Sequence, residues 1–341
     1  MKNSLPTGYH SRPATMDDLK AAVDMFNAAA REMIGVDKFV LEVTSIEWKS
    51  PGFNLDTDTL IVFSETGHVA GYYEVWDLKP HISIRCWGSV HPDHTNRGIG
   101  SYLLEWGEER ARQAIHNASA ETRVTMNCFA MSLNQVALDL FEKAGMQRAR
   151  HFYRMVIDLD NPPSQPPWPE GIEVRTMVVD QDEWKLTNAA VEAFRDHWGH
   201  VERAVEDEHE LWMHEMKNTQ DFDPSLYFLA WDGDQIAGVS LCLKQAHDDH
   251  DMGWVEVLGV RRLWRKQGLG LALLLHSFGE IYRRGKVRAG LGVDAESLTG
   301  ALRLYEKAGM HSDPNRTFIA YEKELRPGVD LRTRQIDQEY T

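Results

Sequence analysis

Gly268 and Gly270 close a basic segment that follows an apolar, β-branched run in the second half of the chain. The run at residues 257–260 predicts a strand, and the apolar periodicity of residues 271–281 predicts a helix. A glycine-spaced turn at this place lets the backbone come close to a ligand, and the free N–H groups and positive dipole of the helix start favour an anion. These features predict that residues 265–270 bind a ligand that carries phosphate.

A second glycine turn lies in the first half of the chain. Gly98 and Gly100 follow a strand-like run that ends at Val90, and they precede another helical pattern. The heptapeptide at residues 140–146 returns with one substitution at residues 304–310. The two heptapeptides lie 164 residues apart and the two glycine turns lie 170 residues apart. Because these offsets are nearly equal, the chain is predicted to be a tandem repeat.

Chain length and a proline-rich segment divide the chain into domains. A chain of 341 residues is expected to form more than one hydrophobic core. Five of the 13 prolines fall within residues 160–171, which suits a stiff, extended connector. We therefore predict an N-terminal domain, a C-terminal domain and a charged C-terminal tail, at residues 1–160, 161–330 and 331–341.

Each half shows the same order of predicted elements, with helices, a strand hairpin, a strand, the glycine turn, a helix, a strand, a helix and a strand. Gly71 and Gly238 of the two hairpins lie 167 residues apart. This order predicts an α/β fold with a mixed sheet in each half. The predicted helices span residues 17–33, 101–114, 181–198, 204–217 and 299–307, and the predicted hairpins pair residues 60–63 with 70–75 and 226–231 with 235–243.

The composition excludes several classes of protein. The formal net charge of −15 argues against general nucleic-acid binding, although four basic residues reverse the sign locally. They are Arg261, Arg262, Arg265 and Lys266. Because the sequence has neither a stretch of about 18 apolar residues nor an apolar signal core, we expect a soluble, cytoplasmic protein that does not bind membranes. The three cysteines are scattered, which predicts reduced core thiols, and the histidines lack the close spacing of a metal site.

Two motifs of the second half resemble those of the GNAT superfamily of N-acetyltransferases, which use acetyl-coenzyme A. They are R-x-x-G-x-G after a strand, at residues 265–270, and A-x-x-x-Y-E-K-x-G-[FM], at residues 301–310. The duplicated arrangement is most similar to mycothiol synthase and its two-domain relatives. The resemblance covers both halves and is motif-specific for residues 86–146 and 254–310. It implies two tandem GNAT-like domains and acetyl-coenzyme A as the donor.

The resemblance also implies which residues contact the coenzyme. In the family the signature turn binds the pyrophosphate, and the preceding strand separates from its neighbour so that its backbone can pair with the pantetheine arm. In the second half the implied residues are Leu258, Gly259, Val260, Arg265, Lys266, Gln267, Gly268, Leu269, Gly270 and Ser297. In the first half they are Val90, Arg97, Gly98, Ile99, Gly100 and Asn134. Whether the first half binds coenzyme stays open because Thr95 stands at the position of Arg265.

The two halves differ where the family places its catalytic groups. In GNAT enzymes of sequential mechanism, a tyrosine at the position of Tyr305 commonly protonates the departing thiolate. A carboxylate at the position of Glu256 often takes a proton from the amine through water. The first half has Phe141 and Cys86 at these two positions, and phenylalanine has no proton to give. The second half is therefore the predicted catalyst, and the first is a degenerate copy with a structural or coenzyme-holding role.

Each of these sites also has a structural interpretation. Strand alternation predicts that Glu256 and Leu258 share one face while Val255 and Val257 share the other. A strand glutamate at the edge of a cleft could form a salt bridge instead of acting as a base. Tyr305 could pack its ring in the core and hydrogen-bond outward, and the basic turn could be a solvated loop whose glycines cap a helix.

Acidic residues in the second half suggest the kind of acceptor. They are Glu202, Glu206, Asp207, Glu208, Glu210, Glu215 and Asp221, in a helical region that the family places over the acceptor cleft. A small cationic acceptor, such as an aminosugar or a polyamine, fits this charge, and a solvated acidic helix face is the alternative. We predict an acetyl-coenzyme A-dependent N-acetyltransferase in which a primary amine attacks directly within a ternary complex. The alternative is a noncatalytic acyl-coenzyme A sensor, and the sequence makes no prediction of oligomeric state.

Overall fold

A computed structural model describes residues 4–219 and 222–335 of the chain. The described residues form two compact units. The first unit combines residues 4–151 with residues 317–331, and the second combines the described parts of residues 152–316 with residues 332–335. Each unit is an α/β structure around a mixed sheet, as the sequence predicts.

The repeats contain corresponding elements in the same order. The first repeat contains β1 (Tyr9–Arg12), α1 (Leu19–Ile34), α2 (Leu41–Glu47), α3 (Leu55–Asp58), β2 (Thr59–Ser64), β3 (Val69–Trp76), β4 (Ser83–Val90), α4 (Ile99–Gln113), β5 (Val124–Met131), α5 (Gln135–Lys143) and β6 (Gln147–Asp158). The second contains β7 (Ile172–Thr176), α6 (Glu183–Phe194), α7 (Val205–Asn218), β8 (Tyr227–Asp232), β9 (Gln235–Leu243), β10 (Met252–Val260), α8 (Leu269–Arg283), β11 (Arg288–Asp294), α9 (Ala301–Lys307) and β12 (His311–Arg326). The predicted helices and hairpins are confirmed with small shifts at their ends, whereas the leading strands β1 and β7 are additional.

The last strand of each repeat pairs within the other unit. The strand order is β1-β2-β3-β4-β5-β12 in the first unit and β7-β8-β9-β10-β11-β6 in the second. Residues 318–326 of β12 pair antiparallel with β5, and residues 152–158 of β6 pair antiparallel with β11. The boundary predicted at residues 160 and 161 therefore separates the sequence repeats, whereas the compact units exchange one strand each.

Two glycines mark where a helix packs closely on each sheet. A Cβ atom at Gly238 of β9 would lie 3.0 Å from Leu273 of α8, and one at Gly71 of β3 would lie 2.9 Å from Leu103 of α4. The missing side chains let α4 and α8 lie against the strands. The core of the second unit continues from this contact through Phe278 and other residues buried beneath α8.

Three other sequence predictions concern the cysteines, membrane-spanning helices and the C-terminal tail. Cys86, Cys128 and Cys242 are buried free thiols, as predicted. In the described ranges, no helix has both the length and the apolarity needed to span a bilayer. Residues 336–341 of the predicted tail lie outside the described residues. The described part is packed, because Arg332 is buried and Thr333 exchanges backbone hydrogen bonds with Gly199 and His200.

Candidate functional site

The central parallel strands of each sheet pair over a short length and then separate. In the second unit β10 pairs with β11 only at residues 252–254, although β10 continues beside β9 to Val260. In the first unit β4 pairs with β5 only at residues 83–86 and continues beside β3 to Val90. The edge of β10 that carries Leu258 and Gly259 is thus open toward β11, as the family resemblance implies.

The glycine turn has the same backbone conformation in both units. Lys266 and Gly268 have φ values of 62° and 88°, and Asn96 and Gly98 have values of 58° and 86°. Each glycine is the N-cap of the following long helix, whose first N–H groups have no partner within the helix. A Cβ atom at Gly268 would meet nothing within 4 Å. The turn therefore presents main-chain donors to open space.

Gly270 lies where two helices pack closely. A Cβ atom there would lie 2.9 Å from Cδ1 of Leu304 on α9, and the equivalent distance from Gly100 to Leu140 is 3.3 Å. The glycine is required because α8 and α9 pack closely at this point. At Gly268, by contrast, positive φ and open space coincide.

The arginines of the turn bind acidic residues of α6 and the residues that follow it. Arg261 Nε donates to Glu192 at 2.7 Å, Arg262 Nε donates to Asp196 at 2.9 Å, and Arg265 also forms an ion pair with Asp196. The Asp196 side chain is only 2% exposed. The hydrogen bond from Arg262 holds the pKa of Asp196 below its ordinary value. These ion pairs anchor the turn and offset part of the positive charge that the sequence predicts there.

Glu256 is the extra residue of a β-bulge. The pairing of β10 with β9 passes from Val255 opposite Cys242 to Val257 opposite Leu241, which leaves Glu256 without a partner. The bulge interrupts strand alternation, so the predicted faces are wrong. Val255 and Leu258 pack with the core beneath α8, whereas Val257 packs with the buried residues of α6. No such register shift occurs between β3 and β4 in the first unit.

The Glu256 carboxylate lies in a solvent-facing acidic environment. Its side chain is exposed and accepts a hydrogen bond of 2.6 Å from Trp254 Nε1. Partial desolvation and then the Glu256 carboxylate raise the pKa of Glu215 on α7, although the Glu215 side chain keeps contact with solvent. Burial and then these two carboxylates raise the pKa of Tyr227. The Glu256 carboxylate therefore acts electrostatically on Glu215, and both carboxylates act on Tyr227.

Tyr305 combines a buried ring with a hydroxyl that reaches solvent. The residue is 7% exposed, and burial raises the pKa of its hydroxyl to about 12. Within residues 4–219 and 222–335 the hydroxyl forms no hydrogen bond, and it is not among the fully buried polar atoms that lack a partner. It therefore keeps access to solvent in its protonated form. Phe141 occupies the equivalent position of α5 and is also buried.

The remaining predicted coenzyme residues fall into two groups. Leu269 and Ile99 are buried in the cores, so only their main chains are available to a ligand. The others are engaged by polar partners: Gln267 with the Leu263 carbonyl, Ser297 with Thr299, Arg97 with Tyr9, Asn134 as N-cap of α5, and the Val260 carbonyl with Arg265 Nε at 3.0 Å. α9 begins at Ala301 rather than Thr299 because Gly300 has φ of 74°.

Sequence reasoning missed three residues that organise the site. Asp196 and Glu192 anchor the turn, and Trp254 binds Glu256. In the helix predicted over residues 181–198, the four-residue spacing of Glu192 and Asp196 would place two carboxylates on the same face and was a usable signal, although the observed helix ends at Phe194. Trp254 gave no signal of its own, since tryptophan is common in strands.

Each unit has two parallel strands that separate and a glycine turn that begins a helix. Together these features define the scaffold of a coenzyme A-dependent acyltransferase. The model of the Acetyltransferase (GNAT) family matches residues 22–146 and residues 185–310. The chain belongs to this family. It is accordingly an N-acetyltransferase whose donor is acetyl-coenzyme A.

Individual proteins match the chain over most of its length. The mycothiol acetyltransferase of Streptomyces scabiei (strain 87.22) is 28% identical over 261 residues, which cover 75% of each chain. A crystal structure of a GCN5-related N-acetyltransferase from Sphaerobacter thermophilus is 34% identical, with a TM-score of 0.76 over 96% of this chain and 99% of that one. A tandem GNAT protein from the clavulanic acid biosynthesis pathway is 15% identical, with a TM-score of 0.70 over 94% of this chain and 100% of that one, and it supports the fold alone.

Proposed function

We propose that the second unit transfers the acetyl group to a primary amine of a small acceptor, by direct attack within a ternary complex. The observation that carries this proposal is that the second unit contains both an exposed carboxylate on a strand bulge and a buried tyrosine. Its turn is also anchored by ion pairs from three arginines. The first unit has Cys86 and Phe141 instead, and its β4 has no bulge. Direct attack requires no covalent enzyme intermediate, which suits a site that has a base and an acid.

The turn of the second unit suits the diphosphate of the coenzyme. Donors from residues 266–270 face open space beside Gly268, and helix α8 adds its positive end. Leu258 and Gly259 offer main-chain groups on the open edge of β10 to the amides of the pantetheine arm. Val260 contributes only part of this edge because its carbonyl accepts from Arg265. Ser297 and the Lys266 and Gln267 side chains complete the proposed contact set.

Glu256 takes a proton from the acceptor amine, directly or through water. An amine with a pKa of about 10.4 is mostly protonated at neutral pH, and freeing its lone pair costs roughly 4–5 kcal/mol. The free amine attacks the thioester carbonyl, and a carboxylate beside it lowers the barrier by accepting the proton that the nitrogen loses as its bond to carbon forms. Solvent exposure of Glu256 gives the proton an exit from the site.

Tyr305 returns a proton at the other end of the reaction. Acetyl-coenzyme A supplies an activated acyl group whose sulfur leaves as a thiolate. Because the pKa of Tyr305 is raised to about 12, the hydroxyl is protonated at neutral pH and can donate. A thiolate is a weaker base than tyrosinate by a few pKa units, so the transfer is completed only as water reprotonates Tyr305.

The first unit binds a second coenzyme without catalysing transfer. Its turn repeats the φ values of the second, and residues 97–100 offer the same main-chain donors. Val90 ends the open edge of β4, and Asn134 stabilises the start of α5 through its cap. Tyr9 takes over the anchoring role at this turn, because its hydroxyl contacts both Arg97 and His94.

The acceptor carries positive charge beside the reactive amine. Glu215 and Glu256 place two carboxylates in one solvent-facing region, and Tyr227 lines it. A second ammonium group or an aminosugar would relieve the repulsion between the two carboxylates. The mycothiol acetyltransferases among the relatives are consistent with a sugar-like acceptor.

The proposal is tested by release of free thiol from acetyl-coenzyme A with a panel of glucosamine, spermidine and a neutral-chain alkylamine. We expect amine-dependent release with the two polar acceptors and a loss of at least 100-fold in kcat for Glu256→Gln. A noncatalytic sensor would bind acetyl-coenzyme A in calorimetry and release no thiol with any amine. Calorimetry also tests the first unit, since we expect two coenzymes per chain and one after Gly98→Val.

A further inference from the structure

Trp254 lies two residues before Glu256 on β10 and contacts its carboxylate. The indole N–H donates to Glu256 Oε2 at 2.6 Å. Among the residues that the structure describes, this is the only hydrogen bond that the Glu256 carboxylate forms. It leaves Oε1 available to an amine or to water. The bulge removes any cross-strand neighbour that could otherwise restrict the side chain.

The Trp254 ring is itself held in place. The Arg154 guanidinium lies 5.1 Å from the centre of the ring, in the geometry of a cation–π contact. Arg154 donates to Asp248 at 2.6 Å, and both side chains are about one-tenth exposed. A Cβ atom at Gly290 of β11 would lie 2.9 Å from the ring, so this glycine makes room for it. The donor to Glu256 is therefore fixed from two sides.

We propose that Trp254 is a positioning residue for the base of the acetyl transfer. Its N–H holds one carboxylate oxygen of Glu256, so that the other faces the acceptor amine. An exposed glutamate otherwise samples several rotamers, and only a fraction of them place an oxygen at the amine. A hydrogen bond to a charged acceptor is strong enough to select one of them. This inference rests on the proposed role of Glu256, and it assigns Trp254 no contact with substrate.

Trp254→Phe keeps a ring beneath Arg154 and removes the donor. With glucosamine or spermidine as acceptor, we expect kcat to fall about tenfold, which corresponds to about 1.4 kcal/mol in the barrier. The KM for acetyl-coenzyme A should stay within twofold, because the turn is untouched. Trp231→Phe is the matched control, since the Trp231 indole N–H is buried without a hydrogen-bond partner. It should leave kcat within twofold.

A double-substitution cycle separates positioning from a structural role. In a Glu256→Gln background, Trp254→Phe should lower kcat by less than twofold, because there is no longer a base to position. A tenfold loss in that background, or wild-type kcat in the single variant, would overturn the inference. Wild-type kcat in Glu256→Gln alone would instead remove the proposed base, so the two failures are distinguishable.

A measurement on the protein without acceptor covers the case in which Trp254→Phe does not fold. The Trp76 and Trp264 indoles also donate to carboxylates, those of Glu74 and Asp232. In ¹H–¹⁵N spectra of the wild-type chain, the Trp254 indole N–H resonance should be displaced, as theirs should be, by its bond to a carboxylate. Glu256→Gln should move that resonance strongly and leave the other indole signals in place. If every indole signal is unchanged by Glu256→Gln, the hydrogen bond does not exist in solution and the inference fails.

Discussion

Asp196 provides the sharpest test of how the turn is built. Asp196→Asn removes a buried carboxylate that accepts from Arg262 and Arg265. Breaking a buried ion pair costs about 3–5 kcal/mol. Because the two arginine side chains keep 29% and 23% exposure, water compensates part of this loss, and we expect about 3 kcal/mol. For a unit of this size, that corresponds to a fall in Tm of about 6–12 °C.

Coenzyme binding should weaken as well, because the released turn must be ordered again by the ligand. Ordering the backbone of a single residue costs about 1–2 kcal/mol, which is roughly a 5- to 30-fold increase in Kd. The assay is a calorimetric titration with coenzyme A at a temperature well below the reduced Tm. A Gly98→Val background confines the signal to the second unit.

Asp182→Asn is the matched control for this substitution. Asp182 is a similarly buried carboxylate in the same unit, and it binds Arg175 at 2.6 Å and the Val178 N–H at 2.8 Å. It lies before α6, away from the turn. We expect a comparable fall in Tm with an unchanged Kd for coenzyme A. If Asp196→Asn keeps the wild-type Kd, or if Asp182→Asn weakens binding equally, the anchoring argument is wrong.

Three further outcomes are expected. Tyr305→Phe should lower kcat at least 100-fold and leave the KM for acetyl-coenzyme A within twofold, in the thiol-release assay. Gly268→Val should abolish coenzyme binding to the second unit by calorimetry, since a β-branched residue does not adopt φ of 88°, whereas Gly270→Val should mainly lower Tm through its clash with Leu304. Because folding lowers the pKa of Asp196 below its ordinary value of 3.8, the ionised carboxylate stabilises the fold at pH values above 3.8. This stabilisation is lost as the pH falls through the lowered pKa of the folded protein. Acid unfolding of the second unit should therefore be less steep in Asp196→Asn.

The parts of the fold that depend on local pattern could be predicted from the sequence. The glycine turn, the helix that follows it and the strands of the hairpins all have short-range signals, and the structure contains each of them. Tandem organisation followed from the spacing of repeated segments. These features depend on residues that are close in the chain, so periodicity and turn chemistry are sufficient to find them.

Features that depend on distant partners could not be predicted. Arg262 binds Asp196, 66 residues earlier in the chain, and no local pattern pairs them. The bulge at Glu256 reverses strand alternation, which sequence reasoning assumes to be regular. The sequence could not show that β6 and β12 each pair in the sheet of the other unit. Both strands are long, with 12 and 16 residues, and neither has a pattern that selects one sheet over the other.

The proposed division into a catalytic and a noncatalytic unit follows from how the two units differ. The proposed binding of the diphosphate depends on main-chain conformation, and that conformation is the same at Gly98 and Gly268 although their anchoring side chains differ. The proposed catalysis depends on two side chains and a bulge, all of which the first unit lacks. Because the two requirements involve different atoms, the loss of one leaves the other intact. We therefore expect the first unit to bind a coenzyme that it does not consume.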